Sequence, residues 1–144
     1  MKRIVFPLIS AVLMITACEK NYYMVDYPAA GIFSQMFPSA RHIEWEYEAG
    51  MLKAEFKDGS YEKEAWFKDG ETWVMTKTDI PVRKAPKHIV EAALNHLGPG
   101  WYLEDVDHYL STGTPSEYYI VECERRGMDQ EAKLLITPDG KVIK

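Results

Sequence analysis

The chain has 144 residues and a formal net charge of −5, from 22 acidic and 17 basic side chains. That acidity repels phosphate backbones and argues against a nucleic-acid partner. Hydrophobic residues make up 47% of the sequence, enough for the core of one domain.

Residues 1–17 read MKRIVFPLISAVLMITA. Lys2 and Arg3 make a positive start, Ile4 to Ile15 is mostly apolar, and Thr16-Ala17 is small. This is the pattern of a secretory signal, too short to span a bilayer. Ile15-Thr16-Ala17-Cys18 resembles a bacterial lipobox. The resemblance implies acylation of Cys18 and cleavage before it, with the membrane reached only through the lipid. Removing Lys2 and Arg3 takes the formal charge from −5 to −7. With Cys18 acylated, Cys123 has no disulfide partner. It lies in the run Tyr-Tyr-Ile-Val-Glu-Cys, which predicts a buried strand residue.

Residues 18–27 read as a tether. A first helix is predicted over about 28–37, with Pro28 in its first turn and Ile32, Phe33, Met36 and Phe37 on one face. Ile43 to Glu48 alternates apolar and acidic residues, which predicts a strand with Glu44, Glu46 and Glu48 on one side. Ala49-Gly50 turns the chain into a strand where Leu52, Ala54 and Phe56 alternate with Lys53, Glu55 and Lys57. Asp58-Gly59 and Asp69-Gly70 mark further hairpins, with strands at Lys63–Phe67 and Thr72–Thr76.

Pro86 opens a second helix, whose apolar stripe is Ile89, Val90, Ala93, Leu94 and Leu97 and whose stop is Gly98-Pro99-Gly100. Strands are predicted near Leu103–Leu110, Glu117–Glu124, Gln130–Thr137 and, after Pro138-Asp139-Gly140, Lys141–Ile143. Helix and four strands thus occur twice, over about 28–80 and 86–144. Ala54-Glu55-Phe56 before Gly59 matches Val121-Glu122-Cys123 before Gly127, and Phe67-Lys68-Asp69-Gly70 matches Thr137-Pro138-Asp139-Gly140. The fold expected is α+β: two tandem helix-plus-strands repeats forming one antiparallel sheet, with both helices on one face and the other face open.

A helix followed by Ile43-Glu44-Trp45, Ala54-Glu55-Phe56 and Ala65-Trp66-Phe67-Lys68-Asp69-Gly70 resembles the PepSY-like family of secreted bacterial proteins, also called beta-lactamase-inhibitor-like. The likeness covers roughly residues 28–144. It implies a periplasmic or envelope protein with an α+β fold and no established activity. Related folds bind proteins: the beta-lactamase inhibitor grips its enzyme with the open sheet face, and PepSY domains are associated with restraint of secreted peptidases. No residue here matches an inhibitory loop.

Motifs with defined chemistry are scarce. His42, His88, His96 and His108 form no HExxH. His88 and His96 lie roughly 80° apart around the second helix. No serine sits in a nucleophile elbow, and the glycines mark turns rather than a phosphate cradle. The expectation is therefore no catalytic residue, no metal and no cofactor. Glu44, Glu46, Glu48 and Glu55 could bind a cation or act as acid and base, but charge on an exposed sheet face, with Lys53 and Lys57 as cross-strand partners, explains them more simply.

If Tyr119, Val121 and Cys123 face inward, Tyr118, Ile120 and Glu122 face outward. Val106, His108 and Leu110 inward likewise leaves Asp105, Asp107 and Tyr109 outward. The open face then displays Tyr109, Tyr118 and Ile120 beside acids, the composition of a protein-binding surface. The function expected is a non-enzymatic lipoprotein of the cell envelope that binds a protein or peptide through Tyr109, Tyr118, Ile120, Glu44 and Glu46. Two alternatives are a small-ligand or metal-binding periplasmic protein, and an enzyme using the clustered carboxylates.

Overall fold

A computed structural model describes residues 28–143. The signal segment 1–17, the acylation site Cys18 and the tether 18–27 lie outside the described residues. The element order is α1 (Pro28–Met36), β1 (Arg41–Glu48), β2 (Met51–Asp58), β3 (Tyr61–Lys68), β4 (Thr72–Asp79), a 3-10 turn (Val82–Lys84), α2 (Lys87–Leu97), β5 (Trp101–Ser111), β6 (Glu117–Arg125) and β7 (Glu131–Ile136). All seven strands join one antiparallel sheet in chain order.

Tight turns between neighbouring strands produce this order. Ala49-Gly50 and Asp69-Gly70 take positive φ at both residues, the twist that matches two-residue hairpins. Between β4 and β5 the chain runs through the 3-10 turn and α2, which packs back on the sheet face through Ile89 and Ala93. Pro86 caps α2 with its carbonyl, which accepts from the N–H groups of Ile89 and Val90. Gly98, at φ 84°, ends it and donates its N–H to Leu94 O.

The core has two parts. Under α1, Ala29 and Phe33 pack on Leu52, Ala54, Phe56, Ala65 and Phe67, with Trp45 and Trp73 at the margin. The Phe33 ring lies 4.8 Å from that of Phe56 and 5.2 Å from that of Trp45. Under α2, Ile89 and Ala93 pack on Val106, Val121, Cys123, Leu134 and Ile136. Paired residues in an antiparallel ladder share a face, so the registers carry the facing across the sheet. Ala54 pairs with Ala65, Ala65 with Thr76 and Thr78 with His108, which puts both core patches and both helices on one side.

Several expectations need correction. The last strand, Lys141–Ile143, is a single bridge from Val142 to Ile136, so the second half has three strands where four were expected. Ile32 and Met36 are exposed, since α1 spans nine residues and meets the sheet through Ala29 and Phe33. The alternation of β1 is broken by a bulge between Arg41 and Glu44, where His42 has positive φ and Ile43 turns to solvent. Leu110 faces the helix side but is exposed, because it lies on the end of β5 that neither core patch reaches. Further register shifts fall between Trp66 and Phe67 and between Leu103 and Asp105, and the latter lets Trp101, Leu103 and Val106 all reach the α2 core.

Candidate open-face interaction site

Alternation away from the helices builds the other face. Glu44, Glu46 and Glu48 of β1 stand beside Glu55, Lys53 and Met51 of β2. Lys53 pairs with Trp66 of β3, and Trp66 with Met75 of β4. Glu64 pairs with Lys77, Lys77 with Tyr109 of β5, and Tyr109 with Tyr118 of β6. In the next row Asp79 pairs with Asp107, Asp107 with Ile120 and Ile120 with Leu135. Each strand therefore contributes its non-core residues to one continuous surface.

Two clusters organise it. On β1–β3, Lys53 Nζ lies 2.6 Å from Glu46, 2.5 Å from Glu48 and 2.7 Å from Glu55, and 5.2 Å from the centre of the Trp66 ring. Its side chain is 7% exposed while the carboxylates remain half exposed. Burial pulls the ammonium down, but the hydrogen bonds it donates to the three glutamates hold it well above the ordinary lysine value. The stacked ring and the buried lysine make a flat floor with an acidic rim.

On β4–β6 the rings of Tyr109 and Tyr118 stack with centroids 5.0 Å apart and planes 6° apart. Burial, followed by the charge of Asp107, pushes the Tyr109 hydroxyl up to about 12. Beside them Lys77 Nζ lies 3.2 Å from Asp79, 3.5 Å from Asp107 and 3.9 Å from Glu64. Burial pulls Lys77 down as well, and Asp107 and Asp79 raise it above the ordinary value. At one end of β1–β4 an open cleft of about 270 Å³ is lined by His42, Glu44, Glu55, Phe56, Glu62 and Asp79, among others.

The residues expected for the site are thus distributed. Tyr109, Tyr118 and Ile120 come together on β5 and β6. Glu44 and Glu46 lie at the far edge of the sheet on β1, with Glu46 held by Lys53. Lys57, expected as a partner for the β1 glutamates, instead pairs with Glu62 at 3.3 Å. Trp66, Lys77 and Asp79 join this face although they are not among the residues expected for the site. Their signal was parity: Trp66 is out of phase with Ala65 and Phe67, which are core residues.

The remaining candidates fall elsewhere. Cys123 is buried, and burial pushes its thiol up, away from the range of a reactive thiolate. His88 bonds Pro138 O at 2.8 Å, and His108 meets Glu117 at 2.9 Å on the helix side. Among the described residues no group of three or more His, Cys, Asp or Glu is arranged to hold a metal ion, and no helix is long and apolar enough to cross a membrane.

No protein-family model and no curated protein matches the sequence. The fold does have relatives among solved structures. A BLIP-like protein from Bacteroides fragilis superposes with a TM-score of 0.72 at 22% identity, over 81% of this chain and 82% of that one. A DUF2874 family protein from Bacteroides uniformis gives 0.71 at 20% identity, over 81% and 85%. A candidate periplasmic protein from Bacteroides eggerthii gives 0.68 at 19%, over 81% and 84%. These likenesses establish the shared fold: a single open antiparallel sheet carrying two helices.

Proposed function

We propose that this chain is a non-enzymatic envelope lipoprotein of the PepSY-like, beta-lactamase-inhibitor-like kind, anchored through Cys18, which binds a protein or peptide on its open sheet face. Within that kind it is an inhibitor-like or regulatory module, and its two halves are diverged copies of one helix-and-strands unit. The observation that carries the reading is the stacked Tyr109–Tyr118 pair beside an acid-rich row, on the sheet side that neither helix covers. The Bacteroides neighbours support it by fold, and the BLIP-like and periplasmic ones among them by analogy.

The face also says what kind of partner fits. On β1–β3 it presents Glu44, Glu46, Glu48, Glu55, Glu62 and Glu64 against Lys53, Lys57 and Lys68. A partner with a basic surface complements that charge, while aromatic rings supply the contact area. The test is capture from envelope extract on immobilised parent chain, compared with Tyr118→Ala and Tyr109→Ala. A partner retained by the parent, lost from both variants and weakened by salt supports the reading. Retention unaffected by either substitution, or no retention by the parent, overturns it.

A further inference from the structure

Asp107 lies two residues from Tyr109 on the same face of β5 and is 6% exposed. Its Oδ2 lies 3.5 Å from Lys77 Nζ. Its Oδ1 is buried and has no hydrogen-bond partner among the described residues. Directly across the ladder stands a second carboxylate, Asp79, itself 3.2 Å from the same Lys77 Nζ. One ammonium, also shared with Glu64, cannot neutralise both. A buried ionised oxygen without a donor is costly. A proton on that carboxyl turns two repelling oxygens into a donor and an acceptor.

We propose that Asp107 carries a proton which it donates to Asp79, and that release of this proton switches the charge of the open face beside the Tyr109–Tyr118 stack. The proposal rests on that face being the docking surface. Burial pushes Asp107 up to about 7, the proton it would share with the facing Asp79 adds to the rise, and Lys77 opposes it. The charged and titratable groups around it are Glu64 from β3, Lys77 and Asp79 from β4, Asp105 and Tyr109 along β5, Glu122 from β6 and Lys133 from β7. Lys133 is engaged first by Glu122, and its attraction to Asp107 is the weaker of the two. Tyr109 is coupled to the same charge, since Asp107 contributes to the rise of its hydroxyl.

Linkage then fixes the sign. The deprotonated face carries one more negative charge, so a cationic segment binds it more tightly. Affinity for a basic partner rises as pH passes upward through about 7. Reciprocally, bound cations promote proton release.

The test uses the chain from residue 19 onward, which carries the whole sheet and both helices, with hexa-arginine as the probe at low ionic strength. Carboxyl carbon NMR should show Asp107 titrating near neutrality. Hexa-arginine should shift the Tyr109 and Tyr118 ring resonances and bind about fivefold more tightly at pH 8.5 than at pH 5.5. Asp107→Asn should bind with little pH dependence. This variant keeps every histidine, so pH dependence that persists in it belongs to them and overturns the switch. Asp79→Asn removes the second carboxylate and adds an amide donor, so the Asp107 transition should fall below that of the parent while burial holds it above the ordinary carboxylate range. An Asp107 that already titrates there in the parent overturns the shared proton while the docking reading survives. A near-neutral transition with pH-independent peptide affinity overturns the switch. No peptide-induced shift at any pH overturns both the docking of a basic partner and the switch.

Discussion

The ammonium of Lys53 sits 5.2 Å from the centre of the Trp66 indole, directly across the β2–β3 ladder. A tryptophan on the uncovered side of a sheet would ordinarily stand in solvent. Here it is 9% exposed, with the lysine over its face. The lysine in turn draws three glutamates around it, so one cation organises both the aromatic floor and the acidic rim.

Lys53→Met keeps the stem over Trp66 but leaves Glu46, Glu48 and Glu55 facing one another. Because those carboxylates are half exposed, water screens much of the repulsion, and the loss should be about 1–2 kcal/mol in urea unfolding at pH 7. Equal stability of the two proteins at pH 7 would show that the cluster is solvated decoration.

Trp45 and Tyr118 should separate core from surface. Trp45 packs on Phe33 and Phe67, and Trp45→Ala should destabilise by about 3 kcal/mol. Tyr118→Ala removes one ring of an exposed-side stack and should cost about 1 kcal/mol, leaving a cooperative melt. If the two variants melt together, the facing of β6 derived from its register is wrong.

The stability of the domain should fall as the pH rises from about 4 to about 7 through the contribution of Asp107. The native state keeps a proton there that the unfolded chain releases near 4, so the unfolded state binds fewer protons across that window. Above about 7 both states are deprotonated and this contribution is flat. Asp107→Asn has no such loss, so its melting temperature should exceed that of the parent at pH 8, and the advantage should shrink toward pH 4. Parallel melting curves for the two proteins across this range would count against a proton on Asp107.

Cys18→Ala should abolish acylation and leave the chain with its first 17 residues uncleaved by the lipoprotein pathway. Metabolic labelling with a fatty-acid analogue reads the first effect and electrophoretic mobility the second. Label incorporated equally by parent and variant would remove Cys18 as the anchor.

Much of the fold was legible in the sequence because its signals are local. Alternation in Trp45-Glu46-Tyr47 and Leu52-Lys53-Ala54, the hairpin glycines Gly50, Gly59 and Gly70, and the Pro86–Gly98 bounds of α2 each depend on residues a few positions apart. Those signals determine strands, turns and which residues face the core, and so they placed Tyr109, Tyr118 and Ile120 on the outer side. What only the tertiary structure decided depends on register across strands. The bulges at Arg41/Glu44 and Leu103/Asp105 shift phase without changing composition, so Ile43 leaves the core and Trp101 and Leu103 join it. Asp79 meets Asp107 because residues 28 positions apart become direct ladder partners, and Lys57 meets Glu62 of β3 rather than the glutamates of β1. Periodicity along a strand dictates a side chain's face; its neighbours on that face are fixed only when the strands pair.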